Sequence, residues 1–147
     1  MEENKTRILI ESESLKEDNE SLEFEQHQNS IAKFLKIISK GLNRHGAKKI
    51  HSVFSKHVHI TSAILYGSRA KGNYKQGSDI DLTLKGSNLT LQLLNTVSDE
   101  LDDLLLPYKF DLSIFSTLQN QDIIDHIERV GVEFYNSTSV GALLHKL

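Results

Sequence analysis

The alternation of apolar and polar positions changes character at Ile31. Before it, Leu15, Leu22 and Phe24 recur in no sustained period, and Ile8, Leu9 and Ile10 offer only a local docking point. Residues 1–30 are therefore expected to form an acidic, weakly ordered extension. From there on, Ile31, Phe34, Leu35 and Ile38 fall at i, i+3, i+4 and i+7, which predicts an amphipathic helix ending at Gly41. Asn43 is placed to cap a second helix with Ala47, Ile50, Val53 and Phe54 as its apolar face. TSAILY (61–66) predicts a short buried strand, and GSRAKGNYKQGS (67–78) a glycine-punctuated loop with one helical turn. DIDLTL (79–84) alternates strictly, with Ile80, Leu82 and Leu84 on one face and Asp79, Asp81 and Thr83 on the other. Asn88 is expected to open a helix that turns Leu91, Leu94, Val97, Leu101, Leu104 and Leu105 inward and stops at Pro107. KFDLSIF (109–115) predicts a second alternating strand, with Asp111 and Ser113 opposite Phe110, Leu112 and Ile114. Asn120 caps a last helix (Ile123, Ile124, Ile127, Val130) ending at Gly131, and VEFY (132–135) adds an edge strand. The expectation is a small α+β domain with a mixed sheet flanked by helices, spanning 31–135, with 136–147 a tail.

Composition narrows the picture. At 147 residues the chain is one domain with an appendage, long enough to bury a core without staples. With no cysteine, disulfides, Cys-ligated zinc and thiol nucleophiles are excluded. No stretch approaches the ~18 apolar residues of a bilayer span, and the first 20 residues lack the apolar core of a secretory signal, so a cytoplasmic protein with no membrane partner is expected.

Charge is distributed unevenly under a net of −3. Residues 1–30 carry nine acids and three bases, 31–85 two acids and 11 bases, and 86–147 nine acids and three bases. The two acids of the basic middle are Asp79 and Asp81. At strand spacing, side chains i and i+2 stand roughly 6.5–7 Å apart on one face, so this pair can address a common point. Asp111 lies on the same phase of the other strand, and pairing of the two strands would bring three carboxylates together. Hard oxygen donors so placed suit Mg²⁺, which relieves their repulsion. Upstream, Gly67 and Ser68 end the first strand in a turn where glycine permits close approach and the hydroxyl and backbone N–H suit phosphate oxygens. Arg69, Lys71 and Lys75 bring positive charge to the same loop. An Asp-x-Asp arises by chance about 0.5 times in a chain of this aspartate content, but Gly-Ser 12 residues before it lowers that to about 0.003.

LYGSRAKGNYKQGSDIDLTL resembles the signature of the polymerase-beta-type nucleotidyltransferases: Gly-Ser, ten residues, Asp-x-Asp. Its compactness, with LDDLLLPYKFDLSIF and DIIDHIERVGVEFY downstream, is similar to the minimal nucleotidyltransferases, and the similarity covers about residues 43–135. That resemblance implies a palm-like mixed-sheet core, metal binding by Asp79 and Asp81 with Asp111 as third carboxylate, and phosphate binding by Gly67 and Ser68. It implies two Mg²⁺ ions as cofactors and ATP as substrate. It also implies a HEPN-domain toxin as partner, in a hetero-oligomer in which this chain is the antitoxin and transfers AMP to a tyrosine of the toxin. Arg69 and Lys71 are assigned to the nucleotide on charge and proximity alone.

Two other functions compete: an antitoxin that neutralises by contact only, and a nucleotidyltransferase of small molecules such as aminoglycosides, for whose usual drug-binding domain the chain has no room. Other features have plainer readings. His57 and His59 are incidental surface histidines. The basic run Lys33, Lys36, Lys40, Arg44, Lys48 and Lys49 reads as a solvated helix face, with RNA or an acidic partner as the competing reading, and the overall expectation is no direct nucleic-acid binding. Asp99, Glu100, Asp102 and Asp103 read as the solvated outer face of their helix, with a basic partner surface as the alternative.

Overall fold

The computed structural model describes residues 19–25, 28, 32, 35–37 and 39–138. Helix α1 (Arg44–Ser55) leads to strand β1 (Ile60–Tyr66), a short helix α2 (Gly67–Lys71) and strand β2 (Ile80–Gly86). Then come helix α3 (Leu91–Asp102), strand β3 (Phe110–Ile114), a 3₁₀ turn (Phe115–Thr117), helix α4 (Gln121–Val130) and strand β4 (Val132–Asn136). The four strands form one mixed sheet in the order β3-β2-β1-β4. β1 is antiparallel to both β2 and β4, while β2 and β3 run parallel. This is the α+β mixed sheet expected of the sequence, and VEFY supplies its edge strand.

Capping explains several boundaries. The Asn43 side chain accepts from the Gly46 N–H at 2.6 Å, and Asn120 accepts from the N–H groups of Asp122 and Ile123 at the start of α4. The start of α3 departs from expectation: Asn88 sits in a left-handed turn (φ 56°), and Thr90 caps the helix by accepting from Leu93 N–H. The α3 face is also narrower than its leucines suggest. Val97 and Leu101 are buried, but Leu91 is 69% and Leu105 89% exposed. The helix ends at Asp102, and Leu105 lies past it at φ 54°, so the helical period no longer aims it inward. In the helix predicted before Gly41, Leu35 is exposed and Ile37 is buried, the reverse of the predicted stripe, while Ile31, Phe34 and Ile38 lie outside the described residues. Residues 19–25 form a helical segment that their aperiodic leucine and phenylalanine do not announce, with Leu22 and Phe24 exposed.

The core lies on one side of the sheet. Ile80, Leu82 and Leu84 of β2 and Ala63 and Leu65 of β1 pack with Ala47, Ile50, Val53 and Phe54 of α1 and with Val97 and Leu101 of α3. Burial of such side chains, at about 25 cal/mol per Å² of apolar surface, is the main force holding sheet to helices. His51 is buried here between the Phe134 and Tyr135 rings, with Nε2 2.6 Å from Phe134 O. His57 is a link between helices rather than an incidental histidine: it faces Glu100 of α3 at 3.1 Å.

Candidate active site

The opposite face of the sheet carries the chemistry, and register puts it there. Tyr66 of β1 pairs with Asp81 of β2, which pairs with Asp111 of β3, so these three side chains rise in one row. The next row is Ile64, Thr83 and Ser113. Asp79 precedes β2 on the same phase and, like Asp111, is exposed, whereas Asp81 is half-buried. Burial, then the charges of Asp111 and Asp79, push the Asp81 carboxyl up to about 6. Burial also raises the Tyr66 phenol, which feels Asp111 and Asp81 and lies beside the Ser113 hydroxyl. Thr83 Oγ1 is buried with no hydrogen-bond partner, leaving unused polar capacity under the carboxylates.

The Gly67–Ser68 turn closes against this row. Gly67 has φ 76°, a conformation that favours glycine, and a Cβ there would collide with Asp81 Oδ2. Its N–H donates to His126 Nε2 of α4 at 3.0 Å. The His126 ring also packs edge-on against Tyr66, at 6.3 Å between centroids. Burial, with the charges of Lys71 and Arg129, lowers the His126 pKa and favours the neutral ring that this acceptor role needs. Ser68 is the second residue of the one-turn helix α2, whose first N–H groups have no intrahelical partner. Lys71 ends that helix, exposed and on the His126 side.

Arg69 departs from its expected role on the nucleotide. It is 3% exposed, and its guanidinium is committed to carbonyl oxygens: Nε and Nη2 donate to Ser78 O, and Nη1 to Lys40 O. The Tyr74 and Tyr108 rings flank it at 5.0 and 5.3 Å. Tyr66, His126, Tyr108 and the Thr83–Ser113 hydroxyl pair are site features the sequence did not single out. The His126 contact spans 59 residues, and nothing local signals it.

The donor set suits a hard divalent cation. It is all carboxylate oxygen, and burial, then the charges of Asp111 and Asp79, hold the Asp81 carboxyl up, a cost a cation would relieve. Among the described residues no group of three His, Asp or Glu side chains is placed to hold a metal ion, so the expected three-carboxylate set of Asp79, Asp81 and Asp111 is not assembled as a metal site. Mg²⁺ is usually held by one or two carboxylates and completes its shell with water and substrate phosphate, a smaller set than three. Nor is any described helix long and apolar enough to cross a membrane.

A family model described as Polymerase beta, Nucleotidyltransferase matches residues 48–139, which include the Gly-Ser turn and all three aspartates. Among curated proteins none matches. Solved structures that share the fold include two toxin–antitoxin proteins. A toxin–antitoxin with AMP-PNP is 17% identical over 70% of this chain and 81% of the other, with a TM-score of 0.51. A toxin–antitoxin MntA–HpeT mutant is 16% identical over 70% of this chain and 81% of the other, with a TM-score of 0.52.

Proposed function

The chain belongs to the polymerase beta nucleotidyltransferase family, and from that premise we propose that it transfers AMP from ATP to a protein hydroxyl, a tyrosine of a HEPN toxin partner, as the antitoxin of the pair. The observation that carries this reading is the Tyr66–Asp81–Asp111 row with the Gly67–Ser68 turn packed directly against Asp81. The toxin–antitoxin structures that share the fold, one of them with AMP-PNP, support the partner and the nucleotide. In this reading the catalytic unit is 31–135, working in the cytoplasm, with 1–30 an acidic appendage.

Asp79 and Asp81, with Asp111, would hold Mg²⁺; when bound it neutralises the triphosphate and lowers the pKa of the acceptor hydroxyl. The chain's own residues do the rest. The Ser68 hydroxyl and the turn amides receive phosphate oxygens, while the absence of a side chain at Gly67 leaves room for the Asp81 carboxylate beside the turn. Asp111, exposed at the rim, accepts the proton of the acceptor hydroxyl. The acceptor oxygen then bonds to the α-phosphorus as its bond to the β-phosphate bridge breaks, and pyrophosphate leaves. Lys71 offsets charge on the triphosphate.

Labelled ATP incubated with the co-purified partner tests this. AMP on a partner tyrosine supports it; neutralisation that survives replacement of Asp79, Asp81 and Asp111 by alanine would show an antitoxin acting by contact alone.

A further inference from the structure

Arg69 is the only Lys, Arg, Asp or Glu buried among the described residues. Burying a guanidinium costs several kcal/mol unless its donors are used. Here they are used on backbone that carries the site. Nε and Nη2 both donate to Ser78 O, at 3.1 and 2.9 Å, immediately before Asp79. On the other side of Asp79, Ile80 N–H donates to Lys109 O at 2.7 Å. The backbone of Asp79 is therefore held from both ends, one end by Arg69.

The third donor, Nη1, reaches Lys40 O at 3.2 Å, and a Cβ on neighbouring Gly41 would collide with that nitrogen and with the Tyr74 ring. Tyr108, which flanks the guanidinium, comes three residues before Asp111. Arg69 itself follows Ser68 directly in α2. One side chain thus touches the stretches leading to Asp79 and Asp111 from the helix that holds the phosphate turn. The far end of the 72–78 loop gains from such an anchor: Gly72 and Asn73 donate to Ser68 O, but Lys75 N–H to Ser78 Oγ and Ser78 N–H to Lys75 O close the 75–78 end on itself, and Gly72 and Gly77 take left-handed conformations.

The geometry points to Arg69 as a positioning residue that fixes Asp79 relative to the Gly67–Ser68 turn, so that the cation-dependent part of nucleotide binding depends on it. This rests on the nucleotidyltransferase reading above. Lysine cannot substitute: it lacks the planar fork that gives two donors to one carbonyl and a third to another while lying flat against tyrosine.

The test is titration of the full chain with a non-hydrolysable ATP analogue, in Mg²⁺ and in EDTA, for the unsubstituted protein, Arg69→Lys and Tyr74→Leu, each checked for folding by circular dichroism. Arg69→Lys is expected to lose about tenfold of the Mg²⁺-dependent tightening, with affinity in EDTA within about twofold, and Tyr74→Leu to lose about threefold. An intact Mg²⁺ increment in both variants overturns the proposal. So does an equal loss in both buffers, which marks a merely structural arginine. If Arg69→Lys does not fold, Tyr74→Leu decides on the same criterion. Absence of Mg²⁺-dependent binding in the unsubstituted chain overturns the nucleotidyltransferase reading, and the inference with it.

Discussion

The two faces of strand β2 obey opposite rules. On one, Ile80, Leu82 and Leu84 are each at most 1% exposed and close-packed against α1 and α3. On the other, Asp81 carries a raised pKa among like charges, and Thr83 hides a hydroxyl with no partner. The first face gains stability from each side chain it orders. The second gives stability up, since neither a crowded carboxylate nor an orphaned hydroxyl helps the fold. Consistency at one face and violation at the other is how a ligand site looks before its ligand arrives.

Substitutions should separate the faces. The largest effect on stability is expected from Leu82→Ala, which removes a fully buried side chain and should cost about 3 kcal/mol, lowering the melting temperature by roughly 10–20 °C. Gly67→Ala, at φ 76° and against Asp81, should cost about 1–3 kcal/mol by thermal melting and weaken ATP binding as well. A Gly67→Ala protein that binds ATP normally would remove the turn from the site.

Asp81 tests the second face by pH. Its carboxyl titrates at about 6 in the folded chain against an ordinary 3.8, so the folded state holds more protons between those values and stability falls as pH rises through them. Metal-free Asp81→Asn should therefore gain on the unsubstituted protein between about pH 4 and pH 7, by about 1–2 kcal/mol once solvent screening is allowed for, and added Mg²⁺ should close the gap. His126 contributes with the opposite sign below its ordinary value, because its lowered pKa favours the neutral form. The comparison with Asp81→Asn removes it. The smallest effect is expected at Thr83→Val, where exchanging a partnerless buried hydroxyl for a methyl should stabilise by about 0.5–1 kcal/mol in chemical denaturation.

The contrast also explains what the sequence could disclose. Strict alternation in DIDLTL and KFDLSIF revealed both strands and both faces, since a period of two needs no tertiary knowledge. That Asp81 and Asp111 share the sheet face opposite the core was legible for the same reason, as was the turn at Gly67 and Ser68: their spacing is local. What was not legible depends on contacts across long stretches of chain. Arg69 follows the phosphate turn, as a nucleotide ligand would, yet its side chain turns to carbonyls at Lys40 and Ser78. His126 meets Gly67 only because α4 packs over that end of β1. In α3 the string of leucines outran the helix, so Leu105 satisfied the period without sharing the face.

The central claim is that the carboxylate face serves transfer and not folding. It is tested most directly by the rate of AMP incorporation from α-labelled ATP into the partner protein by Asp81→Asn, under conditions where the variant melts no lower than the unsubstituted chain. The rate should fall on the order of 10³-fold. Incorporation within tenfold of the unsubstituted rate would contradict the account.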